Sequence, residues 1–392
     1  MMLRSQAKNI EPSAPADTRP PHKRKQAEQL EALKNPTEPV AKKQLSKGLT
    51  ELRAHISGFK IDSAKRDPHG GKPSKENDEN EAPNSSSQYN QAKPAYVDPC
   101  PHYDYDQEEA GNPDSVSEYA PEIFDYYKSR ELEFRVVAYL QNHPEIDVKT
   151  RAILIDWMVE IQETFELNHE TLYNAVKLTD MYLNNTKNCD KATIQKLACV
   201  SIFIAAKYDE RSPPLVDDLI YLSGDRFTRE ELLAMERNLF STVGYDLGSP
   251  LSYRYLRRLG RVCRVDMKSL TMARYILETS LMVYDYAFVS QARLAAASFV
   301  LAMRMLDKEH KYDWNPVLEK YSGFTGEEVY PLVEHMNHMM HFTTNKWTQL
   351  GSVRQKYSHE VFFHVATVPF LPDTLKAVNS QTYAPVPTFS YP

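Results

Sequence analysis

The chain has 392 residues, a net charge of −6 and only four cysteines. None of the cysteines has a Cys-x-x-Cys spacing, which argues against a zinc site and a disulfide framework and indicates a reducing compartment. No hydrophobic leader follows Met1 and no apolar run is long enough to span a bilayer, so the sequence predicts neither secretion nor a membrane partner.

The first 114 residues are predicted to form a disordered regulatory tail. Residues 1–100 contain 11 prolines and three aromatic residues, too little apolar surface to offset the entropic cost of ordering the chain. They carry 17 Lys and Arg against 13 Asp and Glu, whereas the rest of the chain is acidic. A basic tail on an acidic body suggests targeting signals rather than a nucleic-acid-binding domain.

Two short motifs in the tail have the form of such signals. Two basic clusters resemble a two-part nuclear import signal, and they contain Lys23, Arg24, Lys25, Lys42 and Lys43. A merely solvated basic tail is the alternative. Lys75, Glu76 and Asn77 form a three-residue signal of the kind that ubiquitin ligases read, although a match this short also arises by chance.

Order is predicted to begin near Ser115 with a leading helix. Ser117 is placed to cap this helix, and acidic residues follow in the first turn. An apolar pattern then continues to about Leu140, and His143-Pro144 ends it.

Five helices are predicted to follow, at 150–167, 169–184, 191–210, 215–222 and 232–243. The third is apolar on every side from 197 to 206, so other helices must surround it. Asp190 is its expected N-cap. Thr228 and Glu231 form a capping box before the fifth helix, and Gly244 follows that helix in the C-cap role.

The same arrangement is predicted a second time after a Gly248-Ser249-Pro250 linker, with helices at 251–263, 267–286, 291–307, 314–321 and 325–341. QKLACVSIFIAAKY, which starts at Gln195, returns 97 residues later as ARLAAASFVLAMRM from Ala292. The acidic pairs 230–231 and 327–328 repeat this spacing. The sequence therefore predicts an all-α fold with two tandem five-helix domains, 115–248 and 249–345, followed by a C-terminal helix and tail at 346–392. The last helix is expected over 343–360, and the proline-rich end from Pro369 is expected to be a loose tail.

No catalytic motif is found: the chain has no glycine-rich phosphate loop, no HExxH and no nucleophile elbow. Three histidines share one helix face, His335, His338 and His341. A metal site is one interpretation, but a solvated or partner-facing helix is favoured because no Cys or carboxylate partner is indicated. We therefore expect no enzyme activity, no metal and no cofactor.

Five arginines lie on the helix after the linker, Arg254, Arg257, Arg258, Arg261 and Arg264. A nucleic-acid site is possible in principle, but the body is acidic and no interleaved aromatic platform follows. A solvated face or a phosphate-docking patch fits the pattern better, so we expect no nucleic-acid partner.

Three stretches of the first domain resemble the cyclin family: TRAILIDWMVE at 150–160, AAKYDE at 205–210 and LLAMERNLF at 232–240. Their order and separations match a first cyclin box, YAPEIFDYY precedes them, and a second five-helix box follows, so the resemblance covers about 115–360. ETFELNHETLYNAVKLTDMYL and DERSPPLVDDL are most similar to the third, nuclear subtype of the B-type mitotic cyclins. The resemblance implies a non-catalytic subunit that activates a mitotic cyclin-dependent kinase in the nucleus, at G2/M, in mitosis, and in meiosis and chromosome segregation.

The resemblance also implies a kinase-binding surface, made of Lys207, Glu236, Ile204, Tyr245, Tyr119 and Ile123. Lys207 and Glu236 match a pair that hydrogen-bonds the kinase backbone. The alternative for Lys207 is a partner of the helix dipole at the C-terminal end of its helix, and the alternative for Glu236 is an ordinary surface charge. The others match positions that contact the kinase. Arg151 and Asp180 match a buried ion pair between the first two helices of the box.

A shallow apolar groove is implied by Ile153, Leu154, Trp157, Glu160, Ile194 and Gln195. In the family this groove docks Arg-x-Leu peptides of substrates and inhibitors, so those are expected partners. The alternative interpretation of Leu154 and Trp157 is that they are ordinary core residues rather than groove residues. The family usually has Met where this chain has Thr150, which places the affinity of the groove in question.

The resemblance has two further implications, one for phosphate binding and one for degradation of the protein. Arg257 and Arg274 match two members of a phosphate-binding pocket, but Leu270 stands in place of its histidine. In a mitotic cyclin the signal at 75–77 implies recognition by the anaphase-promoting ubiquitin ligase, and only a degenerate destruction box is present, at 53–56.

Two rival classes share parts of this pattern. A two-box transcription factor of the general-initiation type would need a zinc ribbon ahead of the boxes and a basic second box, and the sequence has neither. The second rival class is a purely structural scaffold, and a kinase pull-down would distinguish it from a kinase regulator.

Overall fold

The computed structural model of the chain describes residues 97–307, 309 and 312–375, and the regular secondary structure of these residues is entirely helical. The predicted import residues at 23–25 and 42–43 and the degradation signal at 75–77 lie outside the described residues. The α-helices are α1 (Tyr105–Glu108), α2 (Ala120–Arg130), α3 (Val148–Thr164), α4 (His169–Asn185), α5 (Lys191–Asp209), α6 (Val216–Ser223), α7 (Arg229–Thr242), α8 (Ser252–Val262), α9 (Met267–Met282), α10 (Gln291–Leu306), α11 (Pro316–Ser322), α12 (Gly326–Lys346) and α13 (Ser352–Tyr357).

The first domain packs α3, α4, α6 and α7 around α5, as its all-round apolar sequence predicts. The Asp190 carboxylate accepts a hydrogen bond from the backbone N–H of Thr193 at 2.7 Å, which caps the start of α5. The side chains from 197 to 206 are all buried. The central helix is therefore enclosed on every side, and the prediction for it is confirmed.

The second domain repeats this plan around α10, which is buried from Ala292 to Met303. Ser290 caps the start of α10. Thr325 and Glu328 form a capping box before α12, matching the Thr228 and Glu231 box before α7. The all-α prediction of two tandem five-helix domains is confirmed.

Buried polar side chains join the two domains. Arg151 on α3 donates hydrogen bonds to Asp180 on α4 and to the carbonyl oxygen of Leu281 at 3.0 Å in the second domain. The ammonium of Lys356 on α13 lies 2.5 Å from the Glu278 carboxylate on α9 and 2.7 Å from the side-chain oxygen of Gln162 on α3. Helix α13 therefore fastens the two domains together from the C-terminal side.

The leading helix α2 differs from the prediction at both ends. It begins at Ala120, and Ser117 does not cap it, since the N-cap position is Tyr119 with no side-chain bond. It stops at Arg130 rather than near Leu140, because Glu131 turns inward to the second domain. The Glu131 carboxylate accepts the backbone N–H groups of Gln291 at 3.1 Å and Ala292 at 3.0 Å, at the start of α10.

The expectation that order begins near Ser115 is wrong. Residues 98–108, which we call the strap, lie against the second domain through ion pairs such as the one between Asp106 and Arg258. Composition suggested disorder here because the partners of the strap lie more than 150 residues away in the chain.

The C-terminal segment is also more ordered than predicted. Instead of one helix over 343–360, α12 runs on to Lys346 and a short α13 follows. The residues around Pro369 are not a loose tail, since the carbonyl oxygen of Leu371 accepts a hydrogen bond from Nε2 of His341 at 2.7 Å and Asp373 contacts His338.

Candidate functional site

Lys207 and Glu236 form an ion pair at the surface of the first domain. Lys207 lies in the last turn of α5 and Glu236 in the middle of α7. The Lys207 ammonium also lies 4.3 Å from the ring centre of Phe203, one turn earlier in α5. Burial lowers the pKa of Lys207 from its usual value. The two predicted charges therefore meet on a rigid helical base.

Tyr245 extends this site along α7. Phe240 lies four residues after Glu236, so both face the same side of the helix. Gly244 then adopts a positive φ of 75°, and the backbone N–H of Tyr245 donates to the carbonyl oxygen of Phe240 at 3.0 Å. This is a Schellman motif, and its aromatic contact is present because the Phe240 and Tyr245 rings lie 5.1 Å apart.

These side chains form one continuous strip, which we call the α5–α7 strip: Phe203, Lys207, Glu236, Phe240 and Tyr245. Tyr245 is 66% exposed at its end. Sequence reasoning found Lys207, Glu236 and Tyr245 but missed the two phenylalanines. Their four-residue spacing from Lys207 and Glu236 is the signal that identifies them.

The leading helix meets the end of this strip. The Arg130 guanidinium at the end of α2 lies 2.5 Å from the carboxylate of Asp246, the residue after Tyr245. Tyr119 at the other end of α2 is 54% exposed and Ile123 is half-buried. The predicted contact residues on α2 are therefore accessible, and an ion pair that the sequence did not reveal fixes their helix beside Tyr245.

Ile204 differs from the other predicted contact residues. It is 4% exposed and belongs to the hydrophobic core of the domain. In this structure it supports α5 from within rather than presenting a surface, so a direct contact between Ile204 and a partner remains a prediction.

The predicted peptide groove is largely closed. Its apolar members are buried, with Leu154, Trp157 and Ile194 at 0–1% exposure and Ile153 at 7%. Core packing, the alternative interpretation of Leu154 and Trp157, therefore describes them in this structure. Glu160 is half-buried, and one of its oxygens lies 3.1 Å from the hydroxyl of Ser352, the first residue of α13.

Two hydrogen-bond donors at the groove lack acceptors. Among the described residues, neither Nε1 of Trp157 nor Nε2 of Gln195 has a hydrogen-bond partner, although both atoms are buried. The side-chain oxygen of Gln195 does have one, because Arg226 donates to it at 3.1 Å. Unpartnered buried donors are costly, so an added acceptor at these two groups would be favourable.

The predicted ion pair of Arg151 and Asp180 is present and buried, with Nη2 2.7 Å and Nε 2.8 Å from the two carboxylate oxygens. The hydroxyl of Tyr139 donates to the same carboxylate at 2.6 Å. Burial by itself would lower the pKa of Arg151, but the charge of Asp180 reverses this and raises it. The pair therefore joins α3, α4 and the segment after α2.

The two arginines of the predicted phosphate pocket flank Tyr253 and are engaged by other side chains. Arg257 pairs with Glu170 at 2.9 Å, and its guanidinium carbon lies 5.9 Å from the Tyr253 ring centre. Arg274 lies beneath the C-terminal segment, with its guanidinium carbon 5.4 Å from the Phe362 ring centre. Phosphate binding at this position remains a prediction.

The three histidines of α12 contact the chain itself, and the expected solvated or partner-facing face is wrong, since His335 and His338 are 2% and 4% exposed. His335 bonds the Tyr286 hydroxyl at 2.8 Å, while His338 and His341 hold residues 371–373. Across residues 97–307, 309 and 312–375, no group of three or more metal-ligating side chains is arranged to hold an ion. Within the same residues, no helix has both the length and the apolar character needed to cross a membrane.

Comparison with known proteins defines the class. Family models of the cyclin N-terminal and C-terminal domains match residues 122–248 and 250–371. The G2/mitotic-specific cyclin-B3 of Caenorhabditis elegans is 78% identical over 392 residues, all of both chains. The G2/mitotic-specific cyclin-B3 of Gallus gallus is 44% identical over 263 residues, 67% of this chain and 64% of that protein. Among solved structures, a viral cyclin from herpesvirus saimiri is similar over 60% of this chain and 97% of its own, with 23% identity and a TM-score of 0.46.

The chain belongs to the cyclin family. The resemblance seen in the sequence, including that to the third B-type subtype, is confirmed. Cyclins are regulatory subunits of kinase complexes and not themselves catalysts, in agreement with the absence of a catalytic motif from the sequence.

Proposed function

We propose that this chain is a mitotic cyclin that binds and activates a mitotic cyclin-dependent kinase at the G2/M transition and in mitosis. The observation that carries the proposal is the α5–α7 strip, in which Lys207 and Glu236 meet between Phe203 and Tyr245. Such a strip offers polar groups to a backbone and, at the exposed Tyr245, aromatic surface to an apolar helix face, while the buried Phe203 supports Lys207 from below.

The mechanism is allosteric. The strip lies on α5 and α7, which pack against each other in the core of the first domain, so its geometry is fixed before the kinase arrives. A preformed surface stabilises the one orientation of a mobile kinase helix that complements it, and thereby shifts the kinase towards its active state. The cyclin supplies no reacting group.

Measured affinity for the kinase tests this surface. Lys207→Ala combined with Glu236→Ala is expected to weaken binding at least about tenfold, since it removes two charge-assisted contacts. The matched control is Arg257→Ala with Glu170→Ala, because that ion pair has 46% and 19% side-chain exposure against 44% and 17% for Lys207 and Glu236. Equal affinities for the two double variants would contradict the proposal.

The groove on α3 and α5 is proposed to dock Arg-x-Leu peptides of substrates and inhibitors. The unpartnered donors of Trp157 and Gln195 support this, since an extended peptide presents backbone carbonyl oxygens that could accept from them. Because these donors are buried, docking requires the groove to open. Gln195→Ala is expected to weaken peptide binding, whereas Ala at the exposed Gln141 is the control that leaves it unchanged.

The remaining roles rest on the tail and on the resemblance. We propose that the protein acts in the nucleus, that it serves in meiosis and chromosome segregation as well as mitosis, and that the anaphase-promoting ubiquitin ligase destroys it through residues 75–77. Replacing Lys75, Glu76 and Asn77 by alanine is expected to prolong the lifetime of the protein at anaphase. An unaltered lifetime would mean that another signal is used.

A further inference from the structure

The strap contacts the second domain first through an acid–arginine pair. The carboxylate of Asp106 faces both terminal nitrogens of Arg258 on α8, with one contact at 2.6 Å. The side chain of Arg258 is only 9% exposed and that of Asp106 only 12%. A two-pronged contact of this kind is the strong geometry for an arginine and a carboxylate, and here it is shielded from water.

Aromatic rings complete this contact. Tyr105 is 7% exposed, and the guanidinium carbon of Arg258 lies 5.7 Å from its ring centre and 5.1 Å from that of Tyr321 on α11. The backbone N–H of Tyr105 donates to the Tyr321 hydroxyl at 2.7 Å. Arg258 is therefore enclosed between a ring of the strap and a ring of the domain, an arrangement that favours a cation.

A second acidic group fastens the start of the strap. The ammonium of Lys320 on α11 lies 2.8 Å from the Asp98 carboxylate and 2.9 Å from the carbonyl oxygen of Tyr103. The Tyr103 hydroxyl in turn donates to the carbonyl oxygen of Val262 at 2.8 Å, at the end of α8. Polar contacts thus follow the strap over its length.

We call the residues that receive the strap the α8–α11 face: Arg258, Val262, Lys320 and Tyr321. We propose that this face is a docking site for acidic, tyrosine-containing peptides and that the strap is its resident occupant, which closes the site to partners of that chemistry. The strap residues that contact this face are two tyrosines between two acidic residues: Asp98, Tyr103, Tyr105 and Asp106.

Covalent attachment explains why the site is closed. The strap is joined to α2 by a short segment, so its effective concentration at the face is on the order of millimolar, and a free peptide must compete with that. Weakening the attached copy is expected to open the site without altering the face itself, because Asp98 and Asp106 belong to the strap.

Binding of a separate peptide to the full chain tests the proposal. The probe is a labelled synthetic peptide with the sequence of residues 96–110. The full chain carrying Asp98→Asn and Asp106→Asn is expected to bind it with a Kd at least about tenfold lower than that of the unaltered chain. The control is Asp114→Asn, which makes the same type of substitution once, at an exposed residue beyond the strap. A Kd no lower than that of this control, or equal binding of a probe with both aspartates changed to Asn, would overturn the proposal.

Hydrogen exchange provides an independent measurement on the same variants. The amide of Tyr105 is expected to exchange at least about tenfold faster in the Asp98→Asn, Asp106→Asn chain than in the Asp114→Asn chain, because release of the strap frees it from Tyr321. The amides of α10 are expected to keep their protection, which shows that the domain remains folded. Unchanged exchange at Tyr105 would overturn the proposal.

Discussion

Lys207 and Glu236 contact each other across the surface between α5 and α7, with side-chain exposures of 44% and 17%. A pair this exposed contributes little to folding, since solvent screens the attraction and both side chains lose freedom. The position of the pair at the centre of an aromatic strip is therefore better explained by a partner than by stability.

The first prediction follows from the small contribution of this ion pair to folding. Lys207→Ala is expected to change the free energy of unfolding by less than about 1 kcal/mol, as measured by urea denaturation. Loss of kinase binding in the same variant would then be a direct effect at the surface. A large loss of stability would show instead that the pair is structural.

Arg151→Ala, in contrast, is expected to reduce the free energy of unfolding strongly. It leaves the Asp180 carboxylate buried and without its cation, and it removes the hydrogen bond to the Leu281 carbonyl, so the chain should lose about 3–5 kcal/mol in urea denaturation. The control is Arg211→Ala, which removes an exposed arginine from the same domain and should change little. Comparable stabilities of the two variants would contradict a joining role for Arg151.

Glu163 near the buried Lys356 predicts a dependence of stability on pH. Burial raises the pKa of Glu163 to about 7 from an ordinary 4.5, so between these values the folded chain holds a proton that the unfolded chain has lost. Stability contributed by the protonated form is therefore lost as pH rises from about 4.5 to 7. Glu163→Gln is expected to remove this slope and to stabilise the chain by about 1–3 kcal/mol at pH 8.

Unfolding free energies measured across this pH range check the Glu163 prediction. The exposed Glu166→Gln serves as the control and should retain the slope of the unaltered chain. An identical slope in the Glu163→Gln variant would show that another group is responsible.

Gly244→Ala tests the turn that presents Tyr245. Gly244 has a φ of 75° and nothing within 4 Å of an added Cβ, so the cost is one of backbone conformation, about 1–2 kcal/mol. Gly111→Ala is the matched control, because it also meets no neighbour and does not have this φ. Thermal unfolding of both variants measures the difference, and equal shifts would contradict the argument.

Much of the fold follows from local signals in the sequence. The cap at Asp190, the capping box of Thr228 with Glu231, and the Gly244 turn each act within a few residues, and all three are present as predicted. The 97-residue repeat identified two copies of one domain because each central helix must be apolar on all sides.

The features that were missed depend on contacts distant in sequence. The strap looked disordered because Asp106 meets Arg258 only across 152 residues, and no local pattern reports such a pair. Glu131 likewise ends α2 early to cap a helix 160 residues later. At the groove, the sequence motif identified the residues but did not indicate that they are buried. Whether Trp157 is exposed depends on side chains that pack against it from other helices.

The central claim is that the α5–α7 strip of this cyclin activates a cyclin-dependent kinase. The most direct test measures histone phosphorylation by the purified kinase as increasing amounts of the full chain are added. We predict that activity rises and saturates with the unaltered chain and with the Arg257→Ala, Glu170→Ala control, and that the Lys207→Ala, Glu236→Ala chain gives little activity at the same concentrations. Full activation by the latter chain, or none by the unaltered one, would contradict the account.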